Sequence, residues 1–114
     1  MSCGHDHSQR GLIDVHCHVV PVDLPADPTG GALKLWPRMR CDAGHTASFI
    51  AGPVTRKFDD RSWLPRRRID YMDQHGVALQ MLSPVPELFG YWFEPAQTAL
   101  LCRQVNDSIA RMVE

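Results

Sequence analysis

Two histidines one residue apart are the residues of this sequence whose type and spacing best suit chemistry. His16 and His18 stand near the end of an apolar segment that runs from Gly11 to Val20. In a strand, residues i and i+2 project from the same face about 6.5 to 7 Å apart, so both imidazoles can converge on one ion while Cys17 points away. Zinc–imidazole bonds of about 2.0 to 2.1 Å are within their reach. From spacing alone, two histidines that simply end a strand are an equally good interpretation.

The other histidines are weaker candidates. His5 and His7 repeat the spacing, but residues 1–10 are polar, small and without periodicity, which predicts a disordered lead-in. A solvated tail is therefore expected there, with adventitious metal capture as the alternative. His45 falls in a predicted antiparallel insertion, and His75 ends a predicted helix, where the helix dipole favours a cation for structural reasons.

The segment that contains His16 and His18 is predicted to be a buried strand. Residues 11–20 are mostly apolar and rich in β-branched side chains, which is typical of a parallel-sheet strand covered on both faces. Residues 77–82 predict a second buried strand. The 65–75 segment between them begins with proline, has Ser62 nearby as a candidate cap and is followed by Gly76, which predicts a helix. This order predicts a right-handed, parallel βαβ unit.

Three further regions complete the predicted elements. Residues 22–31 are rich in proline and glycine and predict a loop. The 32–58 region predicts a small antiparallel insertion of two or three short strands, with candidates at Ala32 to Trp36, Thr46 to Ile50 and Val54 to Phe58. A last helix begins at Pro95, and its apolar face is predicted to consist of Leu101, Val105, Ile109 and Met112.

Composition narrows the class of partner. The 114 residues are 44% hydrophobic, which is enough for one modest domain. With 12 basic and 13 acidic residues the net charge is -1, which argues against a nucleic acid or a membrane surface and favours a small molecule. No apolar run approaches the roughly 20 residues of a membrane span, and no secretory signal is recognised, so a soluble cytoplasmic protein is expected. The four cysteines form no C-x-x-C pair and are expected to be reduced thiols.

Several motifs follow one another in an order that covers nearly the whole chain after Arg10. They are Ile13 to Pro21, Arg56 ahead of Trp63, Arg68 to Ser83, Phe89 to Tyr91, and Asn106 with Asp107. A lone H-x-H is weak evidence, whereas the ordered set, with Gly76 closing the helix before the second strand, is specific. This set resembles the aminocarboxymuconate semialdehyde decarboxylase branch of the amidohydrolase superfamily.

The resemblance implies a fold and a metal site. Residues 11–114 would form the N-terminal part of a (β/α)8 TIM-type barrel, an α/β fold, with two βα units and the small antiparallel insertion after the first strand. In such enzymes the H-x-H after the first strand binds the catalytic divalent ion, which implies that role for His16 and His18. Zinc is the expected metal and manganese the alternative. Two histidines and an aspartate from later strands complete the family's ligand set, and no residue here matches them.

The resemblance also implies contacts with substrate. An arginine between the first strand and its helix binds a substrate carboxylate in the family, and Arg56 occupies that place, where a planar charged fork can hold a carboxylate by two bonds. Without the resemblance, a surface arginine beside Lys57 is the favoured interpretation. Aromatic residues of the following loop are further candidates for binding a conjugated substrate: Phe89, Tyr91 and Trp92. With Phe93, they could equally well pack over the barrel mouth.

Two more polar positions border these sites. Asp14 precedes the histidine pair and is expected to orient backbone or a ring nitrogen. Residues 66–68 are consecutive arginines, and they are expected to form a solvated helix face because no glycine-rich phosphate loop accompanies them.

The implied activity is that of a metal-dependent decarboxylase or hydrolase that acts on a small unsaturated or aromatic carboxylic acid. An eight-stranded barrel needs about 250 residues, and two open parallel strands would expose edges and an unfilled core, so this chain is expected to be an inactive fragment. The last helix reaches Glu114 without a capping signal, which favours an interrupted chain. A truncated, non-enzymatic binding or interaction module is the alternative, and a homodimer is left open.

Overall fold

The computed structural model describes residues 11–114. The predicted disordered lead-in, with His5 and His7, lies outside the described residues. The strands and helices are β1 Leu12–Val19, β2 Arg38–Cys41, β3 Thr46–Ala51, β4 Val54–Asp59, α1 Pro65–His75, β5 Val77–Pro84 and α2 Pro95–Val113. A short 3-10 turn at Asp60–Ser62 precedes α1, and another at Pro86–Leu88 follows β5.

A parallel pair of strands, β1 and β5, forms the sheet that carries the two histidines. The predicted strand, helix, strand order is confirmed. Helix α1 begins at Pro65 and ends at His75, and it is followed by Gly76, whose φ of 68° favours glycine and whose N–H donates to the Met72 carbonyl oxygen. Gly11 is required for a different reason, since a Cβ there would lie 2.5 Å from the carbonyl oxygen of Gly76. That oxygen accepts a hydrogen bond from the Leu12 N–H at 2.9 Å, so the start of β1 is fixed against the end of α1.

The prediction that Ser62 caps α1 is wrong. Leu64 is the residue that precedes the helix, and it makes no side-chain cap hydrogen bond. Ser62 belongs to the turn before the helix, and its carbonyl oxygen accepts a hydrogen bond from the Val20 N–H at 3.0 Å. Because Pro65 lacks an N–H, one of the donors that a cap would satisfy is missing from the first turn.

The antiparallel insertion exists as a three-stranded sheet in the order β2, β3, β4. Two of its strands lie where they are predicted, but the first one is at 38–41 and not at 32–36. Residues Leu33 to Trp36 form a turn closed by a 3.0 Å hydrogen bond, which lets the Trp36 indole donate to the Pro25 carbonyl oxygen at 2.8 Å. The strand begins only after Pro37, which has no N–H to offer a sheet.

The core lies between the insertion, the turn after β5 and the middle of α2. Its fully or nearly fully buried side chains are Val20, Trp36, Phe49, Ala51, Val85, Leu88, Leu101 and Val105. The predicted apolar face of α2 is confirmed for Leu101 and Val105, which are buried, and for Ile109, which packs against the core, whereas Met112 is half-buried outside it. Within residues 11–114, neither helix combines the length and the apolar character that a membrane crossing requires.

The amino-terminal half of the parallel sheet lies outside this core. Ile13, Val15, Leu79 and Met81 are 62%, 70%, 54% and 59% exposed. The prediction that both strands are buried on both faces is therefore wrong for these positions, because no element within residues 11–114 covers them. The exposure agrees with the expectation that two parallel strands of a barrel leave a core unfilled.

Candidate functional site

His16 and His18 point at each other from one face of β1. Their Nε2 atoms are 3.2 Å apart, and the ring centroids are 5.0 Å apart in an edge-to-face arrangement. Two nitrogens bound to one zinc ion at about 2.0 to 2.1 Å, with an angle between 90° and the tetrahedral value, lie about 2.9 to 3.4 Å from each other. An N–H···N hydrogen bond between the rings has a similar length. The geometry therefore establishes that the two nitrogens converge and fits the spacing that a shared ion requires.

The hydrogen bonds of His18 define which of its nitrogens can bind an ion. Its Nδ1 lies 3.1 Å from the carbonyl oxygen of Pro84, which can only accept. The Ser83 hydroxyl, also 3.1 Å away, donates its proton to the Cys17 carbonyl oxygen at 2.9 Å and so offers a lone pair to the ring. The proton of the neutral imidazole therefore resides on Nδ1. Nε2, the atom that faces His16, keeps its lone pair, as a metal ligand must.

An irregularity in β1 determines the direction of the two rings. Asp14 pairs with Gln80 and Cys17 pairs with Leu82, so two residues of β1 stand opposite one residue of β5. An extra residue in a strand reverses the alternation of side chains, and such bulges often re-aim a side chain beside a functional site. Asp14 and Cys17 consequently share one side of the sheet, although their spacing in a regular strand would put them on opposite sides.

Contacts with α1 identify the side that Asp14 and Cys17 share. Asp14 accepts a hydrogen bond from the Gln80 amide at 3.2 Å, and Gln80 accepts one from Arg68 of α1 at 3.0 Å. Burial raises the pKa of the Cys17 thiol, while the nearby Arg68 charge lowers it. The thiol also donates to the Met81 carbonyl oxygen of the neighbouring strand at 3.2 Å. His16 and His18 therefore project from the opposite, open face of the sheet.

The pair has no further ligand among the described residues. Within residues 11–114, no group of three or more histidine, cysteine, aspartate or glutamate side chains is arranged to hold a metal ion. Asp14 is expected to orient either the backbone or a ring nitrogen of the pair. The contact with the backbone is confirmed, since the Asp14 carboxylate accepts a hydrogen bond from the His16 N–H at 3.1 Å. The described residues thus supply two donor nitrogens and a carboxylate that orients one of them through the backbone.

His45 and His75 lie where the sequence indicates. His75 occupies the last turn of α1, stacks on Tyr71 with ring centroids 4.1 Å apart, and its Nδ1 donates to the Tyr71 carbonyl oxygen at 2.9 Å. These contacts confirm the structural role predicted for His75 at the helix end. His45 stands in the turn before β3 with a φ of 64°, and its exposed ring lies 3.7 Å from the carboxylate of Asp60.

Arg56 lies on β4 and is paired with a carboxylate of the chain itself. Its guanidinium donates to Glu87, which lies in the turn after β5, and stacks over the ring of Phe58 at 4.9 Å. One oxygen of Glu87, Oε2, is buried and has no hydrogen-bond partner within residues 11–114. Arg56 thus binds a carboxylate at the end of the parallel sheet, but that carboxylate is internal. Substrate binding by Arg56 remains a prediction.

The aromatic loop divides into a packed part and an exposed part. Phe93 packs on Trp36, with ring centroids 5.0 Å apart, and joins the core. Tyr91 and Trp92 are 83% and 50% exposed. Phe89 is half-buried against Tyr91, with centroids 5.7 Å apart. Packing therefore explains Phe93, whereas binding of a substrate by the other three residues stays a prediction.

Arg68 contacts the strand of the histidine pair in a way that the sequence prediction missed. The expectation of a solvated face at 66–68 is wrong for this residue, which is half-buried and donates to three oxygens, those of Arg61, Gln80 and His18, each at 3.0 Å. Burial lowers the pKa of its guanidinium from the usual value. A signal was present in the sequence, since Arg68 is four residues before Met72 and so shares its sheet-facing side of α1.

Comparison with known proteins identifies relatives for nearly the whole chain. No family model matches it. It is 35% identical over 105 residues to a 2-amino-3-carboxymuconate-6-semialdehyde decarboxylase of Dictyostelium discoideum, an alignment that covers 89% of this chain and 28% of that protein. It is 33% identical over 103 residues to a protein of the same name from Caenorhabditis elegans, covering 90% of this chain and 26% of that protein. The chain thus spans about a quarter of the length of the curated relatives it matches. The resemblance recognised in the sequence is confirmed, and this chain is a homologue of the aminocarboxymuconate semialdehyde decarboxylases, which are amidohydrolase-superfamily enzymes.

Proposed function

We propose that this chain is the part of a metal-dependent carboxy-lyase that holds the first two metal ligands. The full-length enzyme would act on a small unsaturated or aromatic carboxylic acid, with hydrolysis of a related acid as the alternative reaction. The single observation that carries this proposal is the 3.2 Å approach of the His16 and His18 Nε2 atoms on the open face of the sheet. The names of the two relatives favour decarboxylation over hydrolysis.

The metal would be held by Nε2 of both histidines. Zinc suits two imidazole donors, and manganese is the alternative. A divalent ion bound there would supply Lewis-acid chemistry to the polarised acid. The contact of His18 with Pro84 keeps its ring in the required tautomer, and Asp14 fixes the backbone of His16. The remaining ligands would come from residues outside the described part of the chain or from solvent.

Arg56 would hold the carboxylate of the substrate. Its guanidinium already binds a carboxylate, that of Glu87, through one of its nitrogens. A planar fork can bind a carboxylate through two bonds, so exchange of Glu87 for a substrate would use the guanidinium more fully. Tyr91 and Trp92 present exposed rings in the loop that follows β5, and these rings are suited to stacking on a conjugated acid.

The chain by itself is proposed to be inactive. Residues 11–114 supply two converging donor nitrogens where a catalytic zinc site has three protein ligands, and their parallel sheet is open. A non-enzymatic binding module is a second candidate, and the exposed side chains of Ile13, Val15, Leu79 and Met81 favour it. A homodimer would be one way to cover that surface. If the chain sediments as a monomer at high concentration, this form of the module proposal is contradicted.

Cobalt binding tests the metal proposal directly. Co²⁺ replaces zinc in imidazole sites and has visible absorption that depends on its ligands. His5 and His7 should first be replaced by alanine, because an H-x-H pair there could capture metal independently. In that background we expect Co²⁺ binding that shifts the imidazole resonances of His16 and His18 in two-dimensional NMR spectra.

Matched variants decide which residues are responsible. His16→Ala and His18→Ala should each remove the cobalt absorption, because one imidazole alone is a weak ligand set. His75→Ala is the control, since that ring is stacked on Tyr71 at the helix end. Unchanged cobalt binding in both of the first two variants would remove the proposed site.

A further inference from the structure

One side chain of α1, that of Arg68, bonds the backbone of His18 directly and is connected to the backbone of His16 through two other side chains. Arg68 Nη2 donates to the carbonyl oxygen of His18 at 3.0 Å, a direct contact across 50 residues of sequence. That carbonyl belongs to the residue whose ring nitrogen is held by Pro84. The orientation of His18 is thus determined from two directions, by β5 at its ring and by α1 at its backbone.

The same guanidinium is also connected to His16, through a chain of hydrogen bonds. Arg68 Nη1 donates to the Gln80 amide oxygen at 3.0 Å. The Gln80 amide nitrogen donates to Asp14 Oδ2 at 3.2 Å, and Asp14 Oδ1 accepts the backbone N–H of His16 at 3.1 Å. Three consecutive hydrogen bonds therefore join the guanidinium to the segment where β1 contains its extra residue.

The third contact of Arg68 anchors it at the start of its own helix. Nε donates to the Arg61 carbonyl oxygen in the turn before α1, again at 3.0 Å. All three acceptors of this half-buried cation are neutral oxygens, so no direct ion pair offsets its partial desolvation. A planar fork with fixed donor directions specifies the geometry of the oxygens that it bonds.

We propose that Arg68 is a positioning residue that sets the separation of the His16 and His18 nitrogens by bonding the backbone of one and, through Gln80 and Asp14, the backbone of the other. The inference rests on the proposed function for its metal, but the positioning itself is a property of the metal-free chain. Partners that orient metal ligands contribute about ten- to a hundredfold to metal affinity. Arg68 is on the face of the sheet opposite the ion, so its effect is transmitted through β1 and not by contact.

The test compares Arg68→Met with Arg66→Met. Arg66 is exposed on the same helix and serves as the matched control. In the metal-free protein, Arg68→Met should shift or broaden the imidazole and backbone resonances of His16 and His18, and Arg66→Met should not. Cobalt affinity should fall about ten- to a hundredfold in Arg68→Met and remain unchanged in Arg66→Met. Arg68→Lys keeps the charge but loses the fork, so it should restore little of the affinity.

A second variant keeps the proposal testable if Arg68→Met does not fold. Gln80→Met removes only the hydrogen bonds that connect Arg68 to His16 through Asp14, so it should perturb the resonances of His16 more than those of His18. Unchanged histidine resonances in Gln80→Met, or in a folded Arg68→Met, would overturn the inference, as would full cobalt affinity in Arg68→Met. If the unmodified chain binds no cobalt through its histidines, the proposed function fails, while the metal-free spectra still decide whether Arg68 positions the pair.

Discussion

The antiparallel insertion and the parallel sheet bury their apolar side chains to very different extents. Ala47 and Phe49 of β3 are fully buried, whereas Ile13 and Val15 of β1 are 62% and 70% exposed. The difference is not one of residue type, since β-branched and aromatic side chains suit both sheets. It arises because α2 and the turn after β5 pack on the insertion, whereas α1 covers only one face of the parallel sheet and nothing among the described residues covers the other face of its amino-terminal half. The two histidines lie where these regions meet, with Val19 and Val20 buried directly after them.

The two regions should differ most in the unfolding free energy that is lost when a leucine of each is replaced by alanine. Leu101→Ala removes a fully buried side chain of the core and should lower the free energy of unfolding by about 2 to 5 kcal/mol. Leu79→Ala removes a 54% exposed side chain of β5 and should change it by no more than about 0.5 kcal/mol. Urea unfolding followed by circular dichroism measures both. An equal loss in the two variants would mean that the open face is covered in solution.

An intermediate effect is expected at the junction of α1 and β5. Gly76→Ala places a Cβ at a φ of 68°, where no neighbouring atom lies within 4 Å, so backbone strain alone should act. The expected cost is about 1 to 2 kcal/mol of unfolding free energy. Gly30→Ala is the control for an exposed loop, since its φ of 77° imposes similar strain away from the parallel sheet. If Gly30→Ala lowers the unfolding midpoint and Gly76→Ala does not, α1 and β5 are not joined as described.

The smallest expected effect is a change in how unfolding depends on pH, and it involves the carboxylate of Asp42 at the end of β2. The Ser48 hydroxyl, which donates to Asp42 at 2.6 Å, holds the pKa of that carboxyl below its ordinary value. A lowered folded-state pKa stabilises the fold above the unfolded value of about 3.9, and this contribution is lost as the pH falls through the folded-state value. Between about pH 5 and about pH 2, the urea midpoint of unfolding should therefore fall less in Asp42→Asn than in the unmodified chain. The exposed Asp73→Asn on α1 is the control, and an equal reduction there would contradict the assignment.

Local signals in the sequence were sufficient for most elements. Proline at 65 and 95 predicted the starts of both helices, Gly76 predicted the end of α1, and the apolar spacing of α2 predicted its buried side. The relative order of strands and helices followed from these signals. Local chemistry determines such features, because caps and turns involve residues a few positions apart.

Features that depend on distant residues were not predictable in the same way. The strand expected at 32–36 is a turn that brings the Trp36 indole to the carbonyl oxygen of Pro25, a residue outside the local pattern. The spacing of the histidines predicted that their rings share a face, but not the bulge that directs them away from α1. Arg68 and Glu87 act through partners 50 and 31 residues away, and no local pattern contains such pairs.

X-ray absorption at the zinc edge tests the central claim most directly. The sample is the chain with His5 and His7 replaced by alanine and with one equivalent of zinc. Two imidazole nitrogens at about 2.0 to 2.1 Å from the metal are expected, and both should be lost when His16 and His18 are also replaced by alanine. A spectrum without imidazole scattering, or one that is unchanged by that double substitution, would contradict the account.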